Sequence, residues 1–202
     1  MAAGAGFAPS VSSPSRLRPR PAPVLRSATQ LEPPGEARPA LALVDLVLRK
    51  IPSYRPALDA CLAAQGLKQG DYPALFRSVR IAASPKTDLY FIRPPVAPYC
   101  QALYGTHLFR YFLLSGRVEG RAPRFDVVFE GAGDRLEIEP QVTSGLNDIV
   151  TTDCNAAFCW VARWTFDGAS YNRTRCFKDW GRTRTDVRCS DGADLPRRSR
   201  GR

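Results

Sequence analysis

Phe158-Cys-Trp-Val-Ala-Arg-Trp-Thr-Phe166, then Asp167-Gly168, then Ala169-Ser-Tyr-Asn-Arg-Thr-Arg-Cys-Phe177 is the stretch whose reading decides the fold. Strand-like alternation on both sides of an Asp-Gly pair is the short-range signature of a β-hairpin. A two-residue type I′ turn at Asp167-Gly168 sets Phe166 opposite Ala169. The same register sets Trp164 opposite Tyr171, Trp160 opposite Arg175, and Cys159 opposite Cys176. Two cysteines placed by strand geometry thus come within bonding reach. The expectation is a β-rich, oxidised domain.

Outward from the hairpin the same period continues. Strands are expected over 75–82, 88–93, 108–114, 124–130, 135–139 and 148–152, with 158–166 and 170–177 forming the hairpin. Ser84-Pro-Lys, Gly116, Gly131-Ala-Gly133, Ser144-Gly145 and Asp167-Gly168 supply turn chemistry at the junctions. Phe125, Val127 and Phe129 are expected on one strand face. Ahead of the strands the period is helical. Leu41, Val44, Leu48 and Ile51 predict a helix over 40–51, with Pro39 suited to its first turn. Leu58, Cys61 and Leu62 predict a second over 56–65, ended by Gly66. The fold class expected is α+β: two short N-terminal helices followed by an antiparallel β-meander, as a curled sheet or small sandwich, stapled by disulfides. Residues 1–39 read as a disordered Pro/Arg-rich leader and 40–180 as a single domain, with helices in 40–66 and a β region over 75–178. Residues 181–202 read as a basic disordered tail.

The formal charge is +10, and its location matters more than its size. Residues 1–31 hold four Arg and no acid, residues 181–202 hold seven Arg and three Asp, so each end carries +4 and the middle +2. Basic ends bind polyanions without sequence preference. Specific nucleic-acid binding is therefore not expected, and polyanion binding through the Arg-rich ends stands as an alternative. The six cysteines, Cys61, Cys100, Cys154, Cys159, Cys176 and Cys189, form an even set that in an exported protein reads as up to three disulfides. Cys159–Cys176 and Cys154–Cys159 are competing pairings. The spacing Cys154-x4-Cys159-x16-Cys176-x12-Cys189 lacks the two short knuckles of a zinc site, so neither metal nor cofactor is expected. Disulfides imply a periplasmic or secreted location. No apolar signal core is visible in residues 1–31, which a misplaced start site would explain; organellar and cytoplasmic locations are the alternatives. The apolar run 41–48, interrupted by Asp45, is too short to span a bilayer.

Chemistry-bearing motifs are sparse. His107 is the single histidine and reads as structural, at the entrance to a strand. No Gly-x-Ser-x-Gly elbow, P-loop or dinucleotide fingerprint occurs. Asp126 and Glu130 on one strand, and Glu137 and Glu139 on the next, would suit glycoside hydrolysis if two of them faced a cleft. Outward-facing charge on antiparallel strands is the simpler reading. Trp160, Trp164 and Tyr171, flanked by Arg163, Arg173 and Arg175, form the candidate binding surface. Aromatic rings beside Arg stack sugars, bases or partner side chains; the same rings would otherwise fill the core. On the expected register Arg173 and Arg175 share the ring face, which is unusual for a sealed interior.

Three segments carry a family likeness: Pro98-Tyr-Cys-Gln-Ala-Leu-Tyr-Gly105, Thr143-Ser-Gly-Leu-Asn-Asp-Ile-Val-Thr-Thr152 and Trp164-Thr-Phe-Asp-Gly-Ala-Ser-Tyr171. With them the chain, over residues 55–180, resembles a loose group of proteobacterial exported proteins of unknown function. The C-terminal β domain of that group has similar Asn-Gly-x-x-Asp-Ile and Phe-Asp-Gly-x-x-Tyr turns. The resemblance implies export and a β fold, and no activity. Members often carry an Asp-rich, calcium-loop-like turn; the matching stretch here, Ala82-Ala-Ser-Pro-Lys-Thr-Asp88, keeps only Asp88. The function expected is a non-enzymatic extracytoplasmic binding or structural module, with a protein or glycan ligand in the cell envelope. A carboxylate-dependent hydrolase is the alternative from a different class.

Overall fold

A computed structural model describes residues 21–85, 87–105, 108–119 and 122–189. In chain order the strands are β1 (Leu25–Ala28), β2 (Arg77–Ser84), β3 (Thr87–Arg93), β4 (Phe109–Glu119), β5 (Ala122–Gly133), β6 (Arg135–Thr143), β7 (Leu146–Cys154), β8 (Cys159–Phe166), β9 (Tyr171–Asp179) and β10 (Arg184–Val187). Helices α1 (Leu41–Lys50) and α2 (Arg55–Ala64) lie between β1 and β2. The strands form two antiparallel sheets, one ordered β2-β3-β4-β5 and one ordered β1-β6-β7-β8-β9-β10.

Side-chain alternation explains how these elements stack. On β4, Phe109, Tyr111 and Leu113 face the core between the sheets, while Phe112 and Leu114 face the helices. The run is apolar on both parities because this strand is covered on both faces. The inter-sheet core is completed by Leu89 and Phe91 from β3 and by Leu136, Ile138, Ile149, Phe166 and Tyr171 from the larger sheet. On the other side, α1 lays Leu43, Val44, Val47 and Leu48, and α2 lays Leu58 and Leu62, against Phe76, Ile92 and Phe112. Each fully buried Leu, Ile or Phe contributes about 1.5–3 kcal/mol relative to exposure. The result is three layers: helices, four strands, six strands.

The expected two N-terminal helices are corrected by this order. The helices occupy 41–64 inside the fold, because β1 precedes them and pairs with β6, Leu25 opposite Ile138. The leader boundary moves accordingly. What holds β1 is the fully buried Arg93, at the end of β3. Its guanidinium donates to Ser27 Oγ at 2.6 Å, to the carbonyls of Ala28 at 2.8 Å and Leu31 at 2.7 Å, and it lies 4.4 Å from the Phe109 ring centroid. Satisfying a buried cation entirely with dipoles is effective only when nearly every donor finds an acceptor. The presumed tail is also shorter, since β10 pairs with β9. Residues 1–20 and 190–202 lie outside the described residues, as does His107.

The decisive hairpin exists, but with a wider turn. Phe166 pairs with Tyr171 rather than facing Ala169. The Asp167 carboxylate accepts from the backbone N–H of Ala169 and of Ser170, both at 2.8 Å, and this side-chain turn replaces a two-residue one. Those bonds hold the Asp167 carboxyl below its usual value. A tight turn forms instead at Ser144-Gly145, where both residues have positive φ, 50° and 92°. Gly116, Gly131 and Gly133 are not turns but strand positions. A Cβ on Gly131 would come within 2.7 Å of the Tyr111 ring, and one on Gly133 within 2.8 Å of the Thr152 carbonyl oxygen. These glycines admit aromatic rings and a neighbouring backbone.

The disulfides are Cys61–Cys100, Cys154–Cys159 and Cys176–Cys189, and no cysteine is free among the described residues. The expected juxtaposition of Cys159 with Cys176 does not occur: Cys159 pairs with Asp179, and Cys176 with Ala162. Three bridges are the bonding state of an oxidising, extracytoplasmic environment. No helix among the described residues is long and apolar enough to cross a membrane.

Candidate functional site

A cleft opens where the two sheets stop matching. The four-stranded sheet packs over β7 and over the turn end of β8 and β9, where Phe166 and Tyr171 join the inter-sheet core, and its β5 edge runs beside the rest of their inner face. Between that edge and the inner face of β8 and β9 lies a cavity of about 310 Å³. Tyr111, Phe129 and Glu130 line one side; Asp153, Trp160, Ala162, Trp164, Arg173 and the Cys176–Cys189 bridge line the other. Its floor continues the core, since the Phe129 and Trp164 rings meet edge to face at 4.9 Å. The Trp164 indole N–H donates to Thr151 Oγ1 at 2.9 Å, fixing the ring.

Strand pairing sets the pattern of rings and cations. Arg173 stands opposite Trp164 and lies over its ring, 4.6 Å from the centroid. Lys178 stands opposite Trp160 and lies 4.8 Å from its centroid and 5.1 Å from that of Phe158. Phe158 in turn touches Trp160 at 5.6 Å and Trp180 at 4.8 Å. Of the chain's three tryptophans, Trp160 and Trp164 line the cleft, and Trp180, in the turn after β9, joins them through Phe158. At about 3.4 Å per strand residue, Trp160 and Trp164 sit ~13 Å apart along β8. Electrostatics at the cleft floor are mixed. Burial pushes the Tyr111 phenol well above its usual value, the Asp153 and Asp134 carboxylates push it further, and Arg173 opposes them.

The candidate surface expected from sequence is divided by a β-bulge. Pairing shifts between Arg163 and Trp164, leaving Thr174 as the extra residue of β9. Arg173 therefore points into the cleft with Trp164, while Arg175 pairs with Arg163 on the outer face. There Arg175 meets Asp186 at 3.3 Å and lies over Phe177, and Arg163 reaches Gln141 Oε1 at 3.1 Å. The bulge resolves the awkward placement of two arginines on one ring face. Tyr171 leaves the surface altogether: it is buried, its hydroxyl donating to the Asn147 carbonyl at 2.6 Å. Burial, with the Asp148 carboxylate second, raises that phenol.

The carboxylate candidates are scattered. A second bulge, at Val128 on β5, sends Val127 to the helix side and Phe129 to the inter-sheet core, so the expected common face of Phe125, Val127 and Phe129 is corrected. It also separates Asp126, opposite Ser115, from Glu130, opposite Phe112. Asp126 pairs with Arg124 at 3.4 Å, Glu130 with Arg110 at 2.6 Å and Glu137 with Arg26 at 2.7 Å. Glu139 is buried in the larger sheet, where its backbone carbonyl accepts from Asn147. Asp88, the remnant of the calcium-like turn, pairs with Arg80 at 2.8 Å. Among the described residues no group of three or more His, Cys, Asp or Glu could hold a metal ion.

Sequence reasoning missed Phe158, Lys178 and Trp180 as parts of the face, and Tyr111 and Asp153 as its walls. Lys178 and Trp180 follow Cys176 at strand parity, a usable signal; the walls belong to strands remote in sequence. No family model matches the chain, and no curated protein and no solved structure matches it.

Proposed function

We propose that the chain is a non-enzymatic binding module of the periplasm or of the secreted space, with its ligand site in the cleft under Trp160 and Trp164. One observation carries the reading: Trp160 and Trp164, each with a cation over its ring, line an open cleft at the margin of the inter-sheet core instead of being sealed inside it. A β-sheet normally buries its large rings, so rings held half-open beside Arg173 and Lys178 are suited to contact something else. The three disulfides support an exported location, as does the resemblance to exported proteins described above. The hydrolase reading loses its support, because the candidate carboxylates are ion-paired on different faces.

Isothermal titration of the full chain against a panel of soluble oligosaccharides and peptides tests this. Aromatic stacking is worth ~1–3 kcal/mol per ring, so Trp160→Ala with Trp164→Ala should weaken the cleft ligand by roughly tenfold or more. Equal binding by the double variant would move the site elsewhere and overturn the reading.

A further inference from the structure

We infer that the uncovered face of β8 and β9 binds an extended acidic glycan, sugar rings stacking on Trp164 and on the Trp160–Phe158 pair while Arg173 and Lys178 take its carboxylates. The inference rests on the binding-module reading and narrows its ligand.

Shape comes first. The cavity at Trp164 is continuous with Trp160, which touches Phe158, which touches Trp180, itself 48 % exposed. Such a row fits a chain better than a compact metabolite. With ~13 Å between Trp160 and Trp164, the two rings address different units of one polymer. Charge comes second. Strands β8 and β9 carry four Arg or Lys and one Asp, a net +3, with Arg173 and Lys178 beside the rings and Arg163 and Arg175 on the outer face. Arg173 and Lys178 are spaced with the rings, one cation to each, because each is the cross-strand partner of a tryptophan. An exposed cation–π contact is weak enough to be exchanged. The cation can swing from the ring to a carboxylate as the apolar face of a sugar takes its place.

Single-stranded nucleic acid shares the need for rings and cations. The cleft wall decides against it. Asp153 lines the cavity as the cross-strand partner of Trp160. A carboxylate accepts hydrogen bonds from free ring hydroxyls, which an acidic glycan carries beside each of its charges and which the backbone of oligo-dT lacks. The oxidised cysteines also suit an extracytoplasmic setting rather than one where nucleic acids are made and kept.

The test is isothermal titration of the full chain with oligogalacturonate, with a neutral cello-oligosaccharide of equal length, and with oligo-dT. Variants are Trp160→Ala, Trp164→Ala, Arg173→Gln and Lys178→Gln, with Arg175→Gln on the outer face as control and circular dichroism confirming the fold. Oligogalacturonate should bind at least about tenfold more tightly than the neutral chain. Its affinity should rise with length until both ring positions are spanned. Arg173→Gln and Lys178→Gln should erase the preference for acid, the tryptophan variants should weaken both glycans, and Arg175→Gln should change neither. Equal binding of the neutral chain overturns the acidic class, and tighter binding of oligo-dT overturns the glycan class. Oligogalacturonate binding that ignores the tryptophan variants, or no binding, overturns the inference. If another ligand of the earlier panel still responds to those variants, the binding-module reading survives alone; if none does, both fall.

Discussion

The six-stranded sheet meets two different surroundings along its width. At β6 and β7, Leu136, Ile138 and Ile149 are fully buried beneath the four-stranded sheet. At β8 and β9 the same inward parity presents Trp160, Ala162 and Trp164 half-exposed beside Arg173. Alternation is equally regular in both halves. The pattern of a strand therefore says which residues share a face, and the neighbouring layer decides whether that face becomes core or site.

The contrast can be broken by experiment. The Cys61–Cys100 bridge ties α2 to the connection between β3 and β4 across 39 residues, whereas Cys154–Cys159 closes a separation of 5 at the turn between β7 and β8. Loop-closure entropy gives about 4 kcal/mol for the first and about 2 kcal/mol for the second. Urea unfolding of Cys61→Ala/Cys100→Ala should accordingly show the larger loss; equal losses would mean that the two halves unfold with the same unfolded-chain constraint. Next, Ile138→Ala removes a fully buried side chain and should cost about 3 kcal/mol. Trp160→Ala, though it deletes a larger side chain, should cost below about 1 kcal/mol if its face is truly open. A cost for Trp160→Ala as large as that of Ile138→Ala would show the cleft to be core. Gly133→Ala probes the seam between the sheets, where a Cβ meets a backbone oxygen; a loss of about 2 kcal/mol is expected by the same unfolding assay.

The smallest effect concerns pH and belongs to the covered side. Burial raises the Glu36 carboxyl to about 7, with Arg93 and Arg77 lowering it and Glu32 raising it. The folded protein then binds the proton more tightly than the unfolded chain does. Between the ordinary value of 4.5 and about 7, stability should fall as pH rises. Midpoints measured across that window should slope downward in the parent and flatten in Glu36→Gln. A slope unchanged in Glu36→Gln would assign the effect to another group.

Much of the fold was legible because period-two patterning survives in single strands: eight of the strands, β2 to β9, fall where alternation places them. The two helices were legible from the spacing of Leu41, Val44, Leu48 and Ile51 and of Leu58, Cys61 and Leu62, although Leu41 proves exposed; their place after a strand was not legible. β1 and β10 are four residues each, too short for a period to register. The bulges at Val128 and Thr174 were invisible because a bulge residue is chosen by the neighbouring strand, not by its own sequence. They account for the mistaken faces of Phe129, Glu130 and Arg175. For the site, Trp160, Trp164 and Arg173 were readable, since cross-strand neighbours share one hairpin. Tyr111 and Asp153 were not, since only the stacking of two sheets brings them there.

Arg93 and β1 have a consequence for the order of assembly. Strands β2 to β5 are consecutive in the chain and so are β6 to β10, so each sheet grows by pairing sequence neighbours, through short loops except for the longer 94–108 connection between β3 and β4. β1 alone must wait: its partner Ile138 lies at the far side of the helices and the entire first sheet. Non-local pairings form slowly because chain closure precedes any gain in contacts. The first strand in sequence is thus expected to dock last, with Arg93 as the latch that closes behind it.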